Sequence, residues 1–296
     1  MTVRFGREFF KMTGSGNDFI FFDARHEPPG SLGDADQIRS LCARGTGVGA
    51  DGVVFVERST TADFAIQYFN SDGSRAALCG NASLCTVSLA VELGMGDPNG
   101  LAFGTDAGVL RARMRGQLPE IDLQPVPAVE PNVAIAREAG EQHLGFATVG
   151  VPHVVVLCDD ANDVDLDRRG RRLRWDASFA QGANANFVSS DGDLWRMRTF
   201  ERGVEGETLA CGTGAVATAL LLNSWGLAGD DVQIVTRSGC AVGVRIRQSS
   251  GSSWATSLRG EGRIVYRAQL AARQETTEGA DPERDSSPVS PRPATT

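Results

Sequence analysis

Apolar residues along this chain fall into two kinds of run, and each kind occurs twice. FFKMTGSGNDFIFFD (residues 9–23) reads as a strand, a Gly/Asn turn and a second strand, and HLGFATVGVPHVVVLCD (143–159) repeats that pattern. FAIQYFN (64–70) is a strand leading through a polar Asp-Gly turn into LCGNASLCTVSLAVEL; LWRMRTFER (194–202) leads through a glycine-rich loop into LACGTGAVATALLLNSW. The last two segments predict helices without a polar face, because Ala82 to Leu93 carries only Glu92 as a charge and Ala215 to Trp225 carries none. A helix apolar on all sides must be wrapped by other structure, and about a dozen residues are too few to cross a bilayer. Strand-rich sequence flanks both. The expected fold is therefore α/β of the α+β type: two pseudo-symmetric halves, each a curled sheet around a central apolar helix, with the site in the cleft between them.

The boundaries follow from this duplication. Residues 1–125 form the first half and 126–259 the second, while the terminal strand 260–270 is free to pack back onto the first. The stretch 271–296 has Val289 as its only large aliphatic residue and no aromatic, so it reads as a disordered tail. The chain has 296 residues and a formal charge of −8, which argues against nucleic acid as a partner. No apolar run is long enough for a membrane span. The first twenty residues carry Arg4, Arg7, Glu8 and Lys11, which leaves no apolar signal-peptide core. The expectation is a cytoplasmic protein whose six cysteines are reduced.

Two of those cysteines occupy matching places in the repeat. Cys79-Gly80 and Cys211-Gly212 stand 132 residues apart, each opening one of the apolar helices. A helix start offers unpaired N–H groups and about half a positive charge, which favour a thiolate and bind carboxylates. Cys79 with Gly80 and Asn81, and Cys211 with Gly212 and Thr213, thus each resemble a base beside an anion cradle. If the halves face one another, one sulfur removes a proton from a carbon and the other returns one to the opposite face, inverting a stereocentre without cofactor or metal. A single cysteine at a helix start is ordinarily a small buried hydrophobe. The duplication is what argues for chemistry, and Cys42, Cys85, Cys158 and Cys240, which lack it, are assigned to packing.

The set KMTGSGNDF, FNSDGS, LCGN, PHVV, GANANFV and FERGVEGETLACGTGA, in that order along about 265 residues, resembles the diaminopimelate epimerase family. The resemblance implies cofactor-independent interconversion of LL- and meso-2,6-diaminopimelate for lysine and peptidoglycan precursors, by a homodimer acting on a small amino acid. It puts the acid/base pair on Cys79 and Cys211, thiol-tuning roles on His153 and Glu201, and substrate contacts on Asn17, Asn70, Asn184, Glu201 and Arg202. Arg202 is suited to a second carboxylate, which a guanidinium binds through two hydrogen bonds. The chain departs from the usual pattern at Val151, where the family often has asparagine, at Ala82 and Leu84 after the first cysteine, and at Gly52, where some members have glutamine.

Other readings compete. Proline and hydroxyproline racemases resemble this fold and mechanism, but a compact ring has less use for Arg202 and three asparagines. A non-catalytic amino-acid-binding homologue would have no need of both Cys-Gly pairs. GTGVGA (45–50) fits a dinucleotide fingerprint, yet a helix precedes it and a strand follows, the reverse of the required order. The run RRGRRLRW (168–175) lies among aspartates and reads as a solvated, salt-bridged face.

Overall fold

A computed structural model of the protein describes residues 5–249 and 253–271. The segment read as a tail, 271–296, lies outside the described residues except Ala271, which ends the last strand. Four α-helices are present among the described residues: α1 (Ala35–Cys42), α2 (Gly80–Glu92), α3 (Arg171–Arg174) and α4 (Gly212–Ser224). Among the same residues eighteen strands join in one hydrogen-bonded system.

The pairing repeats itself from half to half. Phe5–Gly14 lies antiparallel to Asn17–Asp23, which runs parallel to Gly52–Glu57 through the α1 crossover. In the second half Glu141–Val149 is antiparallel to Val151–Cys158, and that strand is parallel to Asn184–Asp191 through α3. Strands buried on both faces need apolar residues at every position, which is why these segments read as unbroken runs such as FIFF and VVFV. Phe19 and Phe21 point to the central core, while Ile20 and Phe22 point to the layer under α1. Val155 and Leu157 likewise face the centre, with Val154 and Val156 under α3.

The central core holds α2 and α4, as expected of helices with no polar stripe. Glycine ends both. Gly94 (φ 65°) and Gly226 (φ 73°) take left-handed backbone that costs glycine little. The next amides then donate back, Met95 N–H to Ala90 O at 2.7 Å and Leu227 N–H to Leu222 O at 2.9 Å. The halves exchange strands: Leu118–Asp122 pairs with Trp254–Arg259, and the last strand Arg263–Ala271 pairs with Phe5–Gly14. Leu258 sits at this seam, wholly buried, with its Cδ2 beside the first glycine of both α2 and α4. No helix among the described residues is long and apolar enough to cross a membrane.

Two expectations need correction. The arginine run is not a uniformly solvated face: Arg169 and Arg174 are buried, paired with Glu141 at 2.7 Å and Glu205 at 2.9 Å. Their partners are glutamates from distant strands and turns, which the local aspartates did not reveal. Cys240 is not a packing residue either; it is half-buried in a turn, its thiol 3.7 Å from Glu261 Oε2.

Candidate active site

Each cysteine is the N-cap of its helix, in extended backbone with φ −134° for Cys79 and −133° for Cys211. Neither side chain bonds a cap amide in the usual way, and the first intrahelical bonds come from Ser83 N–H and Ala215 N–H to the two cysteine carbonyls. The amides of Gly80, Asn81 and Ala82, and of Gly212, Thr213 and Gly214, therefore have no partner inside their helices. Of these residues Gly80, Asn81, Gly212 and Thr213 line one cavity of about 550 Å³ between the halves.

The cavity wall gathers nearly all the residues singled out from the sequence. The first half contributes Asn17, Asn70, Cys79, Gly80 and Asn81, and the second contributes Asn184, Glu201, Arg202, Cys211, Gly212 and Thr213. Val151 and Leu123 add apolar surface. Arg202 is held by its backbone, its N–H donating to Asn184 Oδ1 at 2.7 Å, while its guanidinium lies on the cavity wall and donates to Gln181 O at 3.4 Å. The turn behind it is fastened by Glu205, a left-handed residue (φ 57°) whose carboxylate accepts from Gly203 N–H and from buried Arg174. Glu201 accepts from the Thr208 hydroxyl at 2.7 Å, and burial pushes its carboxyl up.

His153 is not on the wall. It lies fully buried on the strand Val151–Cys158, its Nδ1 3.2 Å from the Asn186 amide nitrogen. Asn186 also donates to Val154 O and accepts from Thr199, which fixes its NH2 toward the ring and makes His153 Nδ1 an acceptor. Burial, and behind it the Arg202 charge, lowers His153 to about 3, so the ring is neutral with its proton on Nε2. The unfolded chain takes up a proton near pH 6.5 and the native one does not, so this contribution is complete above pH 6.5 and is lost as pH falls toward 3. Urea denaturation between pH 7.5 and 5 should show stability falling by up to about 1.4 kcal/mol per pH unit below 6.5. A flat profile there would mean the native ring protonates normally.

Burial also dominates the sulfurs. Cys79 is pushed up; Cys211 is pushed up to about 12; the Glu201 charge adds to the effect in both. Helix-start amides oppose it, Ala82 N–H at Cys79 and Gly214 N–H at Cys211, and fall short. The lowered thiol expected from the helix dipole alone is thus reversed by desolvation. The sulfurs differ in their hydroxyl neighbours: Tyr68 hydrogen-bonds Cys79, and Thr213 Oγ1 lies 3.7 Å from Cys211. Tyr68 was not anticipated. Its signal was the inward alternation Phe64, Ile66, Tyr68, which ends a buried row with a polar tip. Cys42, Cys85 and Cys158 are buried away from the cavity wall, as expected of packing thiols.

Two halves curled on apolar helices, with a thiol from each on a shared cavity, place the chain in a known fold class. A PhzF-family phenazine biosynthesis protein of Bacillus anthracis superposes with a TM-score of 0.72 at 15% identity, over 90% of this chain and 99% of that one. A hydroxyproline epimerase from Agrobacterium vitis, with bound trans-4-hydroxy-L-proline, gives 0.63 at 19% identity, over 91% and 93%. These share the fold. Within it, the chain belongs to the diaminopimelate epimerase family, whose pattern matches residues 9–124 and 145–261. The diaminopimelate epimerase of Gemmatimonas aurantiaca is 46% identical over 274 residues, 89% of this chain and 99% of the relative. That of Archaeoglobus fulgidus is 39% identical over 247 residues, 78% and 86%.

Proposed function

We propose that this chain is an isomerase that interconverts LL- and meso-2,6-diaminopimelate, with Cys79 and Cys211 as the acid/base pair. The observation that carries the reading is the duplicated thiol at the head of a buried helix, both on one cavity. The substrate α-carboxylate sits against free amides of the two helix starts, where charge developing on the carboxylate as the α-proton leaves is stabilised. One thiolate takes the α-proton; the opposite thiol delivers its own to the other face, and the roles exchange with reaction direction. Glu201 and the buried His153 shape the electrostatics around the sulfurs, and Asn70, Asn184 and Arg202 hold the distal amino-acid end. A pocket reaching from two sulfurs to a guanidinium favours a long dicarboxylate over the compact ring of proline.

The test is LL-diaminopimelate in heavy water. Deuterium should enter at the α-carbon as the meso isomer accumulates, with no comparable turnover of proline; a chain that binds the compound without exchange would be the non-catalytic homologue instead. Division of the chain near residues 125 and 259, a homodimer, and a cytoplasmic location belong to the same reading. Six unpaired cysteines fit a reducing compartment. A solution mass of one chain by light scattering would refute the dimer.

A further inference from the structure

Asp51 lies outside the cavity wall, yet it ends a chain of hydrogen bonds that begins inside it. Its Oδ2 accepts from Asn17 Nδ2 at 2.9 Å and from Asp18 N–H at 3.1 Å, and its Oδ1 accepts from Arg44 at 2.8 Å. Its own backbone is fixed on both sides, N–H to Asp18 O at 2.8 Å and C=O from Ser71 N–H at 3.1 Å. Arg44 also grips Asp18, which pairs with Lys11 at 2.6 Å. The carboxylate is thus anchored by cations and strands and has little freedom to turn.

A carboxylate only accepts, whereas an asparagine amide donates at one end and accepts at the other. Asn17 must therefore turn its NH2 to Asp51, which leaves its carbonyl facing the site. That carbonyl accepts from Asn81 Nδ2 at 2.7 Å, so Asn81 in turn is left presenting its own oxygen. Asn81 is 4% exposed, and this Oδ1 is buried without a hydrogen-bond partner. It lies 3.6 Å from where a Cβ on Gly212 would stand, between the two helix heads. A buried acceptor without a hydrogen-bond partner is costly unless a ligand donor meets it.

We propose that Asp51 is a positioning residue that sets the polarity of the Asn17–Asn81 pair, so that a neutral carbonyl oxygen receives the ammonium group of an α-amino acid. The proposal rests on the cavity being the substrate site. It explains why an asparagine serves there: the neighbouring amides supply donors for the carboxylate, the adjacent ammonium needs an acceptor, and a second carboxylate would cancel the helix charge. A reversed pair would offer NH2 to a cation.

The test replaces Asp51 and then swaps the two side chains. Asp51→Asn lets Asn17 and Asn81 turn over; kcat/KM for diaminopimelate should fall about 30-fold, chiefly through KM, with the melting temperature within a few degrees of wild type. Asn17→Asp alone sets two carboxylates together and should also be poor. The double variant Asn17→Asp/Asp51→Asn restores an obligate acceptor beside Asn81 Nδ2 and should exceed both single variants by about fivefold or more, a non-additivity that lost stability does not produce. Asp51→Asn within twofold of wild type, or a double variant no better than Asp51→Asn, would overturn the proposal. In ligand-free protein, NMR should show coupling across the hydrogen bond from Asn81 Nδ2 to the Asn17 side-chain carbonyl; its absence also overturns the relay. Failure of the wild type to turn over diaminopimelate sinks the functional reading and leaves this last measurement standing.

Discussion

Alanine at either Cys79 or Cys211 abolishes epimerisation, with kcat falling by about 10⁴-fold, while the fold survives. The first intrahelical bonds, from Ser83 N–H and Ala215 N–H, go to the cysteine carbonyls, so the helix start keeps its backbone geometry and loses the sulfur with the amide contacts it accepts. The cost in stability should stay near 1 kcal/mol, the ordinary scale for a single substitution. Inversion needs a proton removed from one face and another delivered to the opposite one, so one sulfur cannot do the work of two. It can still remove and return a proton on its own face. Each single variant should therefore retain slow α-deuterium exchange without inversion, and the two variants should do so with opposite stereoisomers. Chiral chromatography with mass detection in heavy water reads both quantities. Epimerisation at the wild-type rate in either variant would remove the pair from the mechanism.

The direction of the thiol shifts bears on how such a pair works. Burial holds both sulfurs in the protonated form, against the helix amides that would ionise them. An amino-acid α-proton is very weakly acidic, and a base of high pKa matches it better than a stable thiolate would. The bound ligand changes the balance. Its ammonium group brings a positive charge beside the sulfurs, and its presence displaces water from a site whose amides already point inward. A thiolate formed at that moment is therefore more reactive than one maintained at rest.

How much of this was legible beforehand depended on the range over which each cause acts. The two apolar helices were readable because the lack of a polar face is a property of a dozen consecutive residues, and the parallel strands because burial on both faces removes all polar positions. The Cys-Gly starts were readable because the duplication supplied an internal control. Tyr68, Leu258 and Asn186 were hidden for the opposite reason, since each owes its role to a neighbour far along the chain. Leu258 meets two helix starts in space, and no local pattern marks it out from other strand leucines. Asn186 sits two residues beyond Asn184 in GANANF, on the same strand face, and only the buried His153 ring shows what it serves. Arg174 failed for the same cause, as its partner Glu205 lies across the fold.

Gly214→Ala should destabilise the protein by about 1–3 kcal/mol and cut kcat/KM by about 100-fold, although helix propensity points the other way. At an ordinary helical position alanine is about 1 kcal/mol better than glycine. Here a Cβ would overlap Asn186 Oδ1 and press on Cys211 Sγ at 3.2 Å. Neither neighbour can yield: Asn186 is fully buried and tied to His153, Val154 and Thr199, and the sulfur is held at the helix head. The repeat supplies the control. Three residues after Cys79 stands Ala82, buried without difficulty, and the strand position matching Asn186 is Val54. The first half thus accepts the methyl group that the second excludes, because only the second has an asparagine bracing a histidine behind its thiol. Gly229→Ala, where a Cβ meets nothing within 4 Å, should leave both melting temperature and turnover unchanged. If Gly214→Ala behaves like that control, Asn186 and Cys211 are not packed against the helix start as the geometry requires.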